Sequence, residues 1–432
     1  MNKGFRFSIL KITILVLFTG NLHAQPVSYQ NYDQCNNIHS YLARVAAEVT
    51  NNSLSEITTL KKWENERDKR YKQFIEMMGL TDVPLEGKRP PLNVTVTGTI
   101  QKEGYHIRKL YYESLPKLYV PANLYVPDNI VKPVPAIIYT CGHSSTQKVN
   151  YQAHARKFAQ LGFVCLITET VEQGEVKGMH RGPRTHQYQW YSRGYTAGGV
   201  ELWNAIRGID LLCQIPEVDT SRIGTTGNSG GGAYSFYIAA ADQRIKAVAP
   251  SCGGGTVESH VGQKTINRAC DCMMPINTYL RDYHDIGALI APRPMLIAQT
   301  DGDRYYDLEA VRKMYGQIKN IYNLYGRQDN ISLIEPPGPH GYHQISRTRI
   351  FSFFLKHLMG KEMPPEKVGD IDESEEAQLS AAELRVYVDG PPVDDRTKTI
   401  QETFIKLAEP AEINNLEELY ETRSHAISFL KE

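Results

Sequence analysis

The hydrophobic rhythm of the chain changes near Val134. Before it, residues 30–90 are charged and carry apolar positions three and four apart, at Leu42, Val45, Ala46 and Val49, then at Trp63, Tyr71, Phe74, Met77 and Met78. That spacing predicts helices with one buried face. Turn-forming residues from Pro84 to Pro91 close the region. Three segments follow, Val94–Ile100, Tyr105–Tyr112 and Leu118–Val126, which alternate and are rich in β-branched and aromatic residues. They read as antiparallel strands. Beyond Val134 the strand-like runs become continuously apolar: Pro135–Thr140, Phe163–Thr168, Ile245–Pro250, Pro294–Ala298 and Ile331–Glu335. Such runs suit strands covered on both faces. Helix-like stretches at Tyr151–Leu161, Ala197–Leu212, Asp307–Tyr325 and Ser346–Met359 separate or follow them. The alternation predicts an α/β fold, a mostly parallel sheet with helices on both sides.

This pattern divides the chain into a helical segment at 25–90, an α/β domain at 91–360 and a charged tail at 361–432, expected to be peripheral. Residues 1–24 read as a secretory signal. Lys3, Arg6 and Lys11 form the positive start, Ile12 to Phe18 the apolar stretch, and Leu22-His23-Ala24 the cleavage end before Gln25. The apolar run falls short of the ~20 residues that span a bilayer. No cysteine follows the cut to carry a lipid. The expected product is secreted or periplasmic, with no membrane anchor.

Charge removes one class of partner. Forty-eight basic residues balance forty-eight acidic ones, and no long basic run exists, so nucleic acid binding has no electrostatic footing. The seven cysteines cannot all pair. Cys141, Cys165 and Cys213 lie in apolar runs and read as small core residues. Cys270-Asp271-Cys272 suggests a metal pair, but no second pair stands at zinc-finger spacing. No metal and no cofactor are expected.

The chemistry is carried by Gly227-Asn228-Ser229-Gly230-Gly231, a G-x-S-x-G pentapeptide. The strand-like Arg222–Thr226 precedes it, and the small-residue helix Gly232–Ala240 follows. A serine on such a strand-turn-helix junction is held strained, with its hydroxyl above the sheet. A serine hydroxyl is a weak nucleophile until a histidine, itself oriented by a carboxylate, takes its proton. The partners should follow in the order acid, then histidine. Pro294–Ala298 runs into Gln299-Thr300-Asp301-Gly302-Asp303, where Asp303 is the chosen acid and Asp301 its rival. Ile331–Glu335 runs into Pro336-Pro337-Gly338-Pro339-His340, whose rigid frame suits an imidazole fixed over the site; His343 is the alternative base. An oxyanion hole needs two backbone N–H groups. Gly230 supplies one, and His143 in Cys141-Gly142-His143-Ser144 the other, ahead of a role for its side chain as base or ligand.

With these residues placed, the chain resembles the α/β-hydrolase superfamily, in particular its acetyl xylan esterase-like and prolyl-oligopeptidase-like bacterial members. The similar parts are Thr226-Gly-Asn-Ser-Gly-Gly-Gly232, Ala249-Pro-Ser-Cys252, Leu289-Ile-Ala-Pro-Arg-Pro-Met-Leu296, Pro339-His-Gly-Tyr342 and Gln173-Gly174-Glu175. The resemblance implies Ser229, Asp303 and His340 as the triad. Departures at Glu172-Gln-Gly and His340-Gly, where better-studied deacetylases carry Arg-Gly-Gln-Gly and His-Glu, leave specificity and oligomeric form outside the resemblance.

An exported hydrolase of this kind is expected to act on a carbohydrate ester, with acetyl removal from a plant or algal glycan as the leading reading. The insertion Glu175–Tyr195 holds His180, Arg181, Arg184, His186, Tyr188, Trp190, Tyr191 and Arg193. Of these, Trp190, Arg181, His180 and Tyr188 are the expected sugar contacts, through stacking and charge; packing of the same aromatics onto the body is the alternative. If the arginines meet the ligand, a uronate methyl ester becomes attractive. A peptidase and a glycan-binding protein with an idle triad remain as further readings.

Overall fold

The computed structural model describes residues 32–182, 185–265, 270, 272, 274–407 and 415–431. The signal-like segment 1–24 and Arg184 lie outside the described residues. The chain forms two units, Met1–Leu42 and Ala43–Glu432. The described part of the first is helical and belongs to the helix Tyr32–Asn52. Everything below concerns the second.

A nine-stranded sheet runs through the second unit. Its strands are β1 (Thr95–Lys102), β2 (Tyr105–Leu115), β3 (Leu118–Pro127), β4 (Val134–Thr140), β5 (Val164–Thr168), β6 (Val218–Asn228), β7 (Ile245–Ser251), β8 (Met295–Ala298) and β9 (Ile331–Ile334). The order is β1-β2-β3-β5-β4-β6-β7-β8-β9. The three alternating segments form the antiparallel edge, and β3 meets β5 antiparallel as well. From β5 to β9 every neighbouring pair is parallel. β6 begins at Val218, four residues before the predicted start, because Val218 already pairs with Val134.

Helices Ala197–Leu212 and Gly230–Ala241 pack one face of the sheet around Trp203, Ile206 and Tyr237. Helices Gln152–Gln160 and Gln344–Met359 pack the other around Phe158, Phe351 and Phe354. Both faces of the parallel strands are thus removed from water, which is what their unbroken apolar runs require. The tail is not peripheral, contrary to expectation. Leu384, Val386, Ile400 and Phe404 are buried, and the Gln152 side chain both donates to Leu379 O and accepts from Leu379 N. The acidic run hid these apolar anchors.

Candidate active site

Ser229 stands at the junction of β6 and the helix Gly230–Ala241 with φ 60° and ψ −121°, a conformation an L-residue keeps only when its surroundings enforce it. The enforcement comes from backbone packed on backbone. A Cβ on Gly231 would lie 2.1 Å from Thr140 O, and one on Gly232 would lie 2.2 Å from Ser251 O. The C-terminal ends of β4 and β7 therefore clamp the turn, and Thr140 Oγ1 donates to Gly231 O at 2.6 Å.

The acid and the histidine come from two loops that pair with each other. Gly302 N donates to Gly338 O at 2.9 Å, and Gly302 bridges Pro339 in a short parallel contact. This sets His340 Nδ1 2.7 Å from Asp303 Oδ2. The Asp303 side chain is fully buried and that of His340 is 19% exposed. Burial alone would raise the Asp303 carboxyl; His340, the Tyr305 amide and the Gln299 amide outweigh it and hold the carboxyl below its usual value. Asp301 is spent elsewhere, accepting from Gly338 N at 2.9 Å. His343 turns its Nε2 to Pro339 O at 2.7 Å and is half-buried. The geometry thus joins Asp303 to His340 and leaves both rivals aside.

The segment after β4 lies against the Ser229 turn. A Cβ on Gly142 would be 3.5 Å from Ser229 Cβ, and one on Gly230 would be 2.7 Å from His143 Nδ1. Two glutamines tie this loop down. Gln147 donates to Gly142 O at 3.1 Å and accepts from Thr170 N at 2.7 Å, while Gln173 Oε1 accepts from Ser144 N at 2.9 Å. Gly174 has φ +60°, and a Cβ there would sit 2.0 Å from Glu169 Oε1, which is why glycine follows Gln173.

The insertion departs from expectation. Trp190 is 2% exposed and packs edge-to-face on Tyr195 with ring centroids 4.9 Å apart; it belongs to the core and offers no face to a sugar. His180 is also buried. Its Nε2 meets His143 Nε2 at 2.8 Å, and its Nδ1 lies 2.8 Å from Glu201 Oε1. Arg181 is half-buried, and Tyr188, 62% exposed, alone of the four presents a broad aromatic surface.

Three features near the site escaped the sequence. Tyr305, 40% exposed, places its ring 4.8 Å from that of His340. Cys252 lies close to Asp303 and His340, and burial pushes its thiol up. Finally, the ligand atoms of His143, His180, Cys270 and Cys272 all fall within 4.8 Å of one another. The expectation of no metal rested on spacing in sequence; folding supplies the second pair from two separate loops.

Comparison with known proteins agrees with this fold. Residues 52–253 match the acetyl xylan esterase (AXE1) family, a span that holds Ser229 and His143 and ends before Asp303 and His340. A Bacillus subtilis protein, "Putative hydrolase YtaP", is 23% identical over 307 residues, 68% of this chain and 100% of that protein. Among solved structures, Methylesterase BT1017 aligns with a TM-score of 0.64 at 20% identity, covering 89% of this chain and 81% of that one. A glucuronoyl esterase from Solibacter usitatus aligns with a TM-score of 0.53 at 16% identity, covering 69% of this chain and 94% of that one. The resemblance read from the sequence holds: part of the chain matches the acetyl xylan esterase family, the fold is similar to that of α/β-hydrolase esterases, and these findings indicate a carbohydrate esterase, a carboxylic ester hydrolase.

Proposed function

We propose that the chain is an exported serine esterase that removes acetyl groups from a plant or algal polysaccharide through an acyl-enzyme formed on Ser229. The observation that carries the reading is the strained Ser229 turn standing in a fold whose next two loops join Asp303 to His340 at 2.7 Å. Ser229 Oγ attacks the ester carbonyl while His340 Nε2 takes its proton, and Asp303 holds the imidazole by Nδ1. The developing oxyanion faces the amides of Gly230 and His143. His340 returns the proton to the departing sugar hydroxyl, and water then releases acetate by the reverse sequence. The AXE1 match supports acetyl as the acyl group.

A second reading has its own support. The likeness to Methylesterase BT1017 takes in 89% of this chain, and Arg181 offers a charge for a uronate. In that case the sugar carboxyl is the acyl group and methanol leaves first. Incubation of the purified protein with acetylated xylan and with methyl-esterified polygalacturonate separates the two. Acetate release supports the first and methanol release alone replaces it with the second. Failure on both glycans and on p-nitrophenyl acetate overturns the assigned roles. Export predicts that the mature protein begins at Gln25, which N-terminal sequencing reads directly.

A further inference from the structure

We infer that His143, His180, Cys270 and Cys272 bind one zinc ion in a closed tetrahedral site beside the nucleophile turn. The donors come from three places in the chain, with His143 and Cys272 129 positions apart in sequence. Their ligand atoms nevertheless converge within 4.8 Å. Zinc bonded to sulfur at ~2.3 Å and to imidazole at ~2.0 Å spaces its tetrahedral donors roughly 3.3–3.8 Å apart. His143 Nε2 stands 2.8 Å from His180 Nε2 and 3.2 Å from Cys272 Sγ, and with every donor pair within 4.8 Å side-chain adjustments of up to about 1 Å bring the set to that spacing.

The surroundings are those of a ligand set. Metal-bound histidines present one nitrogen to the ion and give the other N–H to a carboxylate, which fixes the tautomer. His180 is placed for this arrangement: Nε2 faces the cluster, and Nδ1 lies 2.8 Å from the buried Glu201 carboxylate, close enough to pair with it although the angle is not that of a hydrogen bond. His180 and Cys272 are 1% and 0% exposed, and Cys270 is 8% exposed. Cys272 is anchored by its backbone, since Tyr234 donates to its carbonyl at 3.0 Å and a Cβ on Gly198 would lie 2.3 Å from that oxygen. Two sulfurs and two imidazoles are a donor set for zinc. With four protein ligands the ion keeps no open position, so its role is to pin the His143 loop against Ser229, and no step of hydrolysis passes through it.

The full-length protein, purified after growth with added zinc and gel filtration, is expected to retain about one zinc per chain by elemental analysis. Cobalt(II) in its place should give the intense visible bands of a tetrahedral ion and a thiolate-to-cobalt charge-transfer band. A Cys270→Ser, Cys272→Ser double variant and His180→Ala should lose both signals, with folding checked by circular dichroism. Glu201→Gln, which leaves all four ligands in place, should weaken zinc binding by about 10–100-fold. Should the ligand variants fail to fold, mercurial titration of the wild type, with released zinc read by a chromogenic chelator, makes the same test. Wild-type protein that holds no zinc and gives only the weak spectrum of octahedral cobalt overturns the inference. So does a mass lighter by two hydrogens from a Cys270–Cys272 disulfide.

Discussion

Gln299 Nε2 donates to Asp303 Oδ2 at 3.0 Å, the same oxygen that faces His340 Nδ1 at 2.7 Å. A buried acid is thereby held in one rotamer by a buried amide whose own position follows from the end of β8. The remaining oxygen, Oδ1, accepts from the Tyr305 and Tyr306 amides at 2.7 and 3.2 Å. Asp303→Asn should keep the shape of this loop and reverse the donor pattern that orients the imidazole. Esterase turnover should fall by about 10³–10⁴-fold. Asp301→Asn should cost less than about tenfold, because its carboxylate meets the Gly338 amide and not the histidine. Turnover of p-nitrophenyl acetate by the two variants measures the ranking, and a reversed order would move the acid to Asp301.

The nucleophile is tested by subtraction. Ser229→Ala removes one half-buried oxygen from a turn held by glycine backbones, so the melting temperature should stay within a few degrees. Ester hydrolysis should fall by several orders of magnitude. An alanine variant that turns over at near-native rate would sink the assignment of Ser229.

Much of this was legible in the chain, and the reasons for the exceptions are physical. The edge strands β1 to β3 follow from alternation, and the parallel strands largely from apolar runs, because burial on two faces writes itself into consecutive residues. The pairing of Asp303, rather than Asp301, with His340 was also legible in position, a few residues past its strand. The His143–His180–Cys270–Cys272 cluster was not legible, since ligand spacing marks a site only when the ligands share a local loop. Trp190 misled for a related reason. It sits in a polar segment, yet Tyr195 shields it and Phe404 from the tail packs on Tyr195 at 6.2 Å, a contact more than 200 residues away in sequence.

The clamp on the turn predicts an asymmetry between glycines. Gly231→Ala places a methyl 2.1 Å from Thr140 O, a backbone atom that cannot swing aside. Overpacking of this kind costs about 1–3 kcal/mol or more, and the variant should melt lower and lose activity together. Gly316→Ala, in the helix Leu308–Leu324 with nothing within 4 Å of the new carbon, should instead gain about 0.5–1 kcal/mol. Urea midpoints of the two variants are the measurement. A neutral Gly231→Ala would mean that β4 yields.

Acid should destabilise the fold before the carboxylates titrate. Burial, aided by Arg347 and opposed by Asp370, pushes His154 down to about 3, and burial pushes His260 down to about 4. Both folded values lie below the unfolded value of about 6.5. The unfolded chain therefore binds protons first as pH falls, and stability declines from pH 6.5 downward through the folded values, at up to about 1.4 kcal/mol per pH unit for each histidine. His154→Phe keeps the ring stacked on Tyr342, 4.9 Å away, and removes the titration. Its urea midpoint should fall less between pH 6.5 and 4 than that of the wild type, and an equal fall would exclude His154 as a source.

The insertion separates packing from recognition through two of its aromatic residues. Trp190 is buried against Tyr195, so Trp190→Ala should cost about 3–5 kcal/mol of stability and reduce turnover of small and large esters alike. Tyr188 is 62% exposed, so Tyr188→Ala should leave the melting temperature unchanged. If its ring stacks on the glycan, the variant should lose activity on an oligosaccharide ester while hydrolysing p-nitrophenyl acetate normally, because the small ester never used that remote binding energy. The ratio of kcat/KM on the two substrates isolates this effect from expression and folding. An unchanged ratio for Tyr188→Ala would leave the insertion as a structural cover and move sugar recognition to Tyr305, whose exposed ring lies 4.8 Å from His340.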